Sequence, residues 1–178
     1  MKVWATIRDA FIGWRQILLG QTGWERYFRL TMPGLVAALA LFYLVAFVAI
    51  LATALDAVTL EGFVNIILVQ SLWLVAVLIG IYATRHFLRG AVPVLPLLIP
   101  AVYALIAYFV LGSIVSLISG ALLPILWLVL TYMLFRLGRA AGQWSVGVSA
   151  AFGALIVLLL VALPMTLYML LSAAAPVA

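Results

Sequence analysis

AVPVLPLLIPAVYALIAYFVLGSIVSLISGALLPILWLVLTYMLF, running from Ala91 to Phe135, contains no Asp, Glu, Lys, Arg or His. As one helix it would extend roughly 67 Å at 1.5 Å per residue, about twice the hydrocarbon thickness of a bilayer. It must therefore fold back on itself. Ser119-Gly120 supplies the break and Pro124 the start of a second helix, since proline fits a first helical turn better than an interior one. The stretch reads as a membrane hairpin with Arg89 before it and Arg136 after it.

The rest of the chain agrees with that class. Of its 178 residues 70% are hydrophobic and 7% charged, and the mean hydropathy is +1.41. A soluble domain is about half apolar and a quarter charged, because it must cover itself with polar surface. One membrane domain accounts for the length. The absence of cysteine excludes disulfides, thiolate metal sites and cysteine nucleophiles. A net charge of +5 could suit nucleic acid, but the basic residues sit beside apolar spans, where they govern topology and meet anionic headgroups. Eight of the nine are arginine, and with abundant alanine this points to a GC-rich bacterial genome.

Outward from the hairpin, apolar segments run from about Gly34 to Leu55, Gly62 to Thr84 and Val146 to Ser172. The hairpin arms run from Val94 to Ile118 and Ala121 to Phe135. The fold class is all-α: a polytopic membrane helical bundle of five transmembrane helices over residues 34–173, with a short tail at 174–178. Five crossings put Lys2, Arg8, Arg15, Arg26, Arg29, Arg85, Arg89, Arg136 and Arg139 on one face. Asp56 and Glu61 fall on the other. By the positive-inside rule the N-terminus is cytoplasmic and the C-terminus extracytoplasmic, in a bacterial inner membrane. The second hairpin arm has only about fifteen residues before Arg136, below the usual range of about 17–25. Full crossing is expected if Arg136 and Arg139 snorkel; a re-entrant pair would leave the charges on the same side.

Residues 1–33 form a cytoplasmic region of different character. Arg8, Asp9 and Arg15 interrupt the apolar core a secretory signal requires. Trp4, Ile7, Phe11, Trp14 and Leu18 recur at helical spacing, with Lys2, Thr6, Asp9, Gly13 and Gln16 opposite and Arg8 and Arg15 at the stripe's edge. That is the pattern of an amphipathic helix in the membrane interface; docking on the protein itself gives the same pattern. Thr22 and Glu25 form a capping box for a second short helix, Trp24 to Leu30, and Pro33 stands in the first turn of span one.

Candidate sites follow from chemistry. Arg8, Arg15, Arg26, Arg29, Arg85, Arg89, Arg136 and Arg139 are expected to contact lipid headgroups. His86 joins them as a lone imidazole, without a second metal ligand or a nucleophile nearby in sequence. Asn65, Gln70 and Ser71 are polar residues within span two, read as interhelical hydrogen bonding or as the lining of a solute path. Gly112, Ser116 and Gly120 on span three, and Ser149 and Gly153 on span five, are small residues spaced by four that permit close helix approach, within the chain or between copies. Pro100 and Pro164 kink or hinge their spans. Tyr103, Tyr108, Tyr132 and Tyr168 pack or sit at interfaces. No mid-span charge, phosphate loop, zinc spacing or nucleophile elbow is present, so neither catalytic residues nor cofactor or metal ligands are assigned, and no enzyme activity is expected.

The layout resembles the Yip1 family of integral membrane proteins: a cytoplasmic N-terminal region, five spans and a tight hairpin of spans three and four. The resemblance is carried loosely by Pro100-Ala101-Val102-Tyr103, the turn at Ser119-Gly120 and the run Ala140 to Ala151. It implies a membrane-embedded scaffold or adaptor that organises lipid or partner proteins. An accessory subunit of a larger complex, a homo-oligomer, and a carrier of small neutral or hydrophobic solutes share the same features.

Overall fold

A backbone surrounded by lipid must satisfy its own hydrogen bonds, so an apolar run of this length becomes a helix. In a computed structural model, which describes residues 2–53, 60–89 and 92–174, all regular structure is helical. The helices are α1 (Lys2–Leu19), α2 (Met32–Thr53), α3 (Leu60–Phe87), α4 (Leu95–Ile118), α5 (Leu123–Ala140) and α6 (Val146–Ala174), with 3-10 turns at Trp24–Tyr27 and Gly120–Leu122. Helices α2 to α6 are long and apolar enough to cross a membrane. The chain is a multi-pass helical membrane protein.

Local chemistry sets the ends. Thr31 Oγ1 accepts the Gly34 N–H at 3.3 Å, capping α2 ahead of Pro33. Pro96 and Pro124 occupy the first turns of α4 and α5, where the missing N–H costs no helical bond. Ser119 is fully extended and makes the hairpin break. Helix α5 does not stop at Phe135. It runs through Arg136 and Arg139 to Ala140, and with the 3-10 turn before it gives 21 residues, enough to cross.

One expected element is corrected. The short helix from Trp24 to Leu30 is only a 3-10 turn ending at Tyr27, and no side chain caps it. Gly23 precedes it with φ 81° and Phe28 follows in extended conformation, so Thr22 and Glu25 do not form a capping box. The loop around Asp56 lies outside the described residues, as does the tail beyond Ala174.

Helix α4 is central, flanked by α2 and α5; α6 packs between α5 and α3. The spans alternate in direction, so α2, α4 and α6 begin, and α3 and α5 finish, at the end that carries the eight arginines. Close approach between helices is concentrated in that half. A Cβ on Gly153 would lie 2.7 Å from the Thr131 carbonyl oxygen, and one on Gly138 3.2 Å from Ser149. Gly80 lies against Ile156, so a side chain there would overlap it. Beside this packed half lies an aromatic belt. Trp73 stacks on Phe109 at 4.9 Å and meets Trp127 at 5.9 Å, and Phe42 meets Phe109 at 5.6 Å, joining α2, α3, α4 and α5.

Candidate functional site

The basic end of the bundle is built around α1. Its buried face is not the stripe of large apolar residues. Ala10, Gly13, Trp14 and Ile17 face the protein, and the small ones are there because something must come close: a Cβ on Gly13 would sit 2.5 Å from the Phe28 ring. Trp14 Nε1 donates to the Pro100 carbonyl at 3.2 Å, reaching into α4. Trp24 and Phe28 fill the space beneath, and Phe28 meets Tyr103 at 5.8 Å.

The end of α1 is fixed twice. Gln21 N–H donates to Gln16 O at 2.9 Å and Gly20 N–H to Ile17 O at 3.1 Å, with Gly20 at φ 73°. This is a Schellman ending, in which the left-handed position favours glycine. Arg136 then donates Nε at 3.3 Å and Nη2 at 3.2 Å to the same Ile17 carbonyl. A cation at a helix C-terminus also offsets the negative end of the dipole. Arg139 donates to the Trp144 carbonyl and so clamps the α5–α6 connection. These two arginines thus have internal partners as well as any lipid.

About 90° round α1 from the docked face, Trp4 (75% exposed), Ile7 and Phe11 (73% exposed) point away from the protein. Arg8 and Arg15 lie along one edge of this face, also exposed, with Arg8 3.5 Å from Asp9. One face of α1 is docked on the protein, and the face that carries Trp4, Ile7 and Phe11 is exposed. Trp14 sits where the two meet.

The remaining basic residues are spread over the same end. Arg26 lies over the Tyr27 ring at 5.0 Å, and Arg29 is exposed. Tyr82, Arg85, His86 and Arg89 line an open cleft of about 480 Å³ at the end of α3. Among the described residues the one ion pair is Arg8 with Asp9, and no three His, Cys, Asp or Glu side chains converge to hold a metal ion.

The polar residues of α3 separate. Ser71 Oγ shares a 2.9 Å hydrogen bond with Tyr43 Oη and donates to Ile67 O at 2.7 Å. Gln70 is 4% exposed and its Oε1 has no partner, whereas Asn65 is exposed on another side of the helix. Of the small residues, Ser149 and Gly153 lie in the α5–α6 contact. A Cβ on Gly112 would meet only Leu126 at 3.9 Å, one on Gly120 would meet nothing within 4 Å, and Ser116 is exposed with its hydroxyl bonded to Ser113 O. The sequence pattern puts Gly13 on the polar side of α1, whereas the structure buries it against Phe28, and it does not single out Gly80 or Gly138. Their one signal is the absence of a side chain, shared with glycines that face open space.

The fold and this end define a multi-pass helical membrane protein with an aromatic and basic surface at one end. Comparison with known families, with curated proteins and with solved structures finds no match to this chain.

Proposed function

We propose that this protein is a non-catalytic scaffold of a bacterial inner membrane, with its basic end cytoplasmic, which gathers anionic lipid and so organises the membrane around it. The observation that carries the reading is the second face of α1, with Trp4, Ile7 and Phe11 exposed and Arg8 and Arg15 along one edge. In water such a face is costly; at headgroup level the rings meet the acyl boundary and the guanidinium groups meet phosphate. The grouping of all eight arginines at one end supports the orientation, and the layout shared with the Yip1 family is in keeping with a scaffold. The test uses full-length protein in vesicles containing a self-quenching fluorescent phosphatidylglycerol. Clustering should deepen the quenching, and Arg8→Gln with Arg15→Gln should reverse most of it. Quenching equal to that of protein-free vesicles would sink the proposal.

A second reading, an accessory subunit of a larger membrane complex, is favoured by the far half of the bundle. There Leu117, Ile118, Leu170 and Leu171 stand exposed, surface that another membrane protein could cover. Gentle detergent extraction followed by native mass measurement separates the readings, since a discrete monomer or homodimer counts against the subunit.

A further inference from the structure

The last four turns of α3 carry an ordered change of chemistry along one face. Val75 and Ile79 come first, both apolar and exposed. Tyr82, 54% exposed, follows one turn on. Arg85 and His86 continue the stripe at spacings of three and four from Tyr82, so these point the same way, and Arg89, just past the end of the helix, lines the same cleft. From Val75 to Phe87, its last residue, the helix rises about 18 Å, comparable to one leaflet of a bilayer.

The basic end of this stripe is open, and among the described residues its charges have no carboxylate partner. Tyr82, Arg85, His86 and Arg89 line the open cleft of about 480 Å³. The Arg85 guanidinium lies 5.8 Å over the Tyr82 ring, while its Nε is buried with no acceptor. A buried charged donor without an acceptor is costly, more so than an unpaired neutral one. Arg89, two residues past the end of α3, has φ 50°, in the left-handed region where glycine would be less strained, and adds a second arginine to the cleft. The helix dipole accounts for cations in a last turn. It does not account for the apolar, aromatic and basic sequence beneath them.

We propose that this face of α3 holds one anionic glycerophospholipid lengthwise, its phosphate in the cleft of Arg85, His86 and Arg89, its glycerol region against Tyr82 and an acyl chain along Ile79 and Val75. The inference rests on the reading that the basic end lies at headgroup level, but uses none of the α1 residues. Paired guanidinium groups suit phosphate oxygens, to which they donate charge-assisted hydrogen bonds. The net negative charge of the lipid matters because the cleft holds two fixed positive charges and no carboxylate.

His86 is the only histidine in the chain, so its imidazole NMR resonances report this site without assignment ambiguity. Full-length protein in neutral micelles is titrated with short-chain phosphatidylglycerol, short-chain phosphatidylcholine or inorganic phosphate. Phosphatidylglycerol should shift the His86 signals saturably, at least tenfold tighter than phosphatidylcholine. Arg85→Gln with Arg89→Gln should weaken that binding by tenfold or more, whereas Arg8→Gln with Arg15→Gln should leave it unchanged. An equal response to phosphatidylcholine would overturn the site. So would inorganic phosphate alone producing the full shift at the same concentration, because the ligand would then not be a lipid. The wild-type comparison of the three probes decides the matter even if the arginine variants fold poorly. Wild-type protein that fails to cluster lipid but keeps a selective His86 response breaks the scaffold reading alone; lipid clustering without a selective His86 response breaks this one alone.

Discussion

The two halves of the bundle are made from the same residues and are packed differently. In the basic half, Leu97 to Leu105 of α4, Leu130, Leu134 and Leu137 of α5, and Phe152 and Ile156 of α6 are buried. In the far half the same helices present Leu117 (83% exposed), Ile125 and Tyr168 outward. Lipid is as apolar as leucine, so hydrophobicity does not draw helices together inside a membrane; close packing does. The packed half has what close packing needs: glycines at the crossings and a wedge of Trp14, Trp24 and Phe28 from outside the spans. In the far half Gly112 and Gly120 have no close neighbour, and the exposed apolar surface there is left for lipid or a partner.

Matched substitutions test this contrast, and the largest effect is expected in α1. Trp14→Ala removes a buried ring and its bond to the Pro100 carbonyl, and should destabilise the fold by about 3 kcal/mol. Trp4→Ala, on the same helix but exposed, should change stability by less than about 0.5 kcal/mol. Unfolding of purified protein in mixed micelles measures both. Equal losses would mean that α1 is not docked as described.

Within the hairpin the same change separates the halves. Leu134→Ala should cost about 2 kcal/mol, the low end for a buried leucine, because in lipid packing is lost but no transfer from water is involved. Leu117→Ala should stay within about 0.5 kcal/mol. A large loss at Leu117 would show that the far half is covered, and would favour the subunit reading.

Arg136→Gln removes two bonds to the Ile17 carbonyl and should cost about 1–2 kcal/mol. Faster amide exchange should appear in the last turn of α1 while α6 is unaffected. Smallest of all, Gly120→Ala meets open space and should be neutral, whereas Gly153→Ala would press on the Thr131 carbonyl and cost about 1–3 kcal/mol. If both are neutral, the α5–α6 crossing is looser than described.

How legible this was in the sequence depends on the kind of signal. The spans were readable because apolar length is a local property, and the five helices fall within a few residues of the segments read from hydropathy. The clearest exceptions were the short arm and the second helix. Arg136 and Arg139 were read as ending a span, yet a helix continues through arginines without cost, and α5 runs to Ala140. Thr22 and Glu25 had the spacing of a capping box, but Gly23 takes a left-handed turn that favours a 3-10 start instead. The small-residue pattern divided in the same way. Ser149 and Gly153 meet α5, while Gly112 and Gly120 have the same spacing and no close neighbour. Spacing says that a helix surface is flat; it does not say whether another helix comes to it.

What the sequence by itself determined is the class of protein, the positions of its apolar segments and the gathering of arginines at one end. These depend on the length of apolar runs and on charge beside them, and both are properties of contiguous residues. Only the tertiary structure decided which face of α1 is docked, which arginines have internal partners, and which half of the bundle is packed. Those depend on what approaches from elsewhere in the chain: Phe28 on Gly13, Arg136 on Ile17, α5 on Gly153. In a bundle whose surface and interior are both apolar, composition cannot tell one from the other, and shape alone makes the distinction.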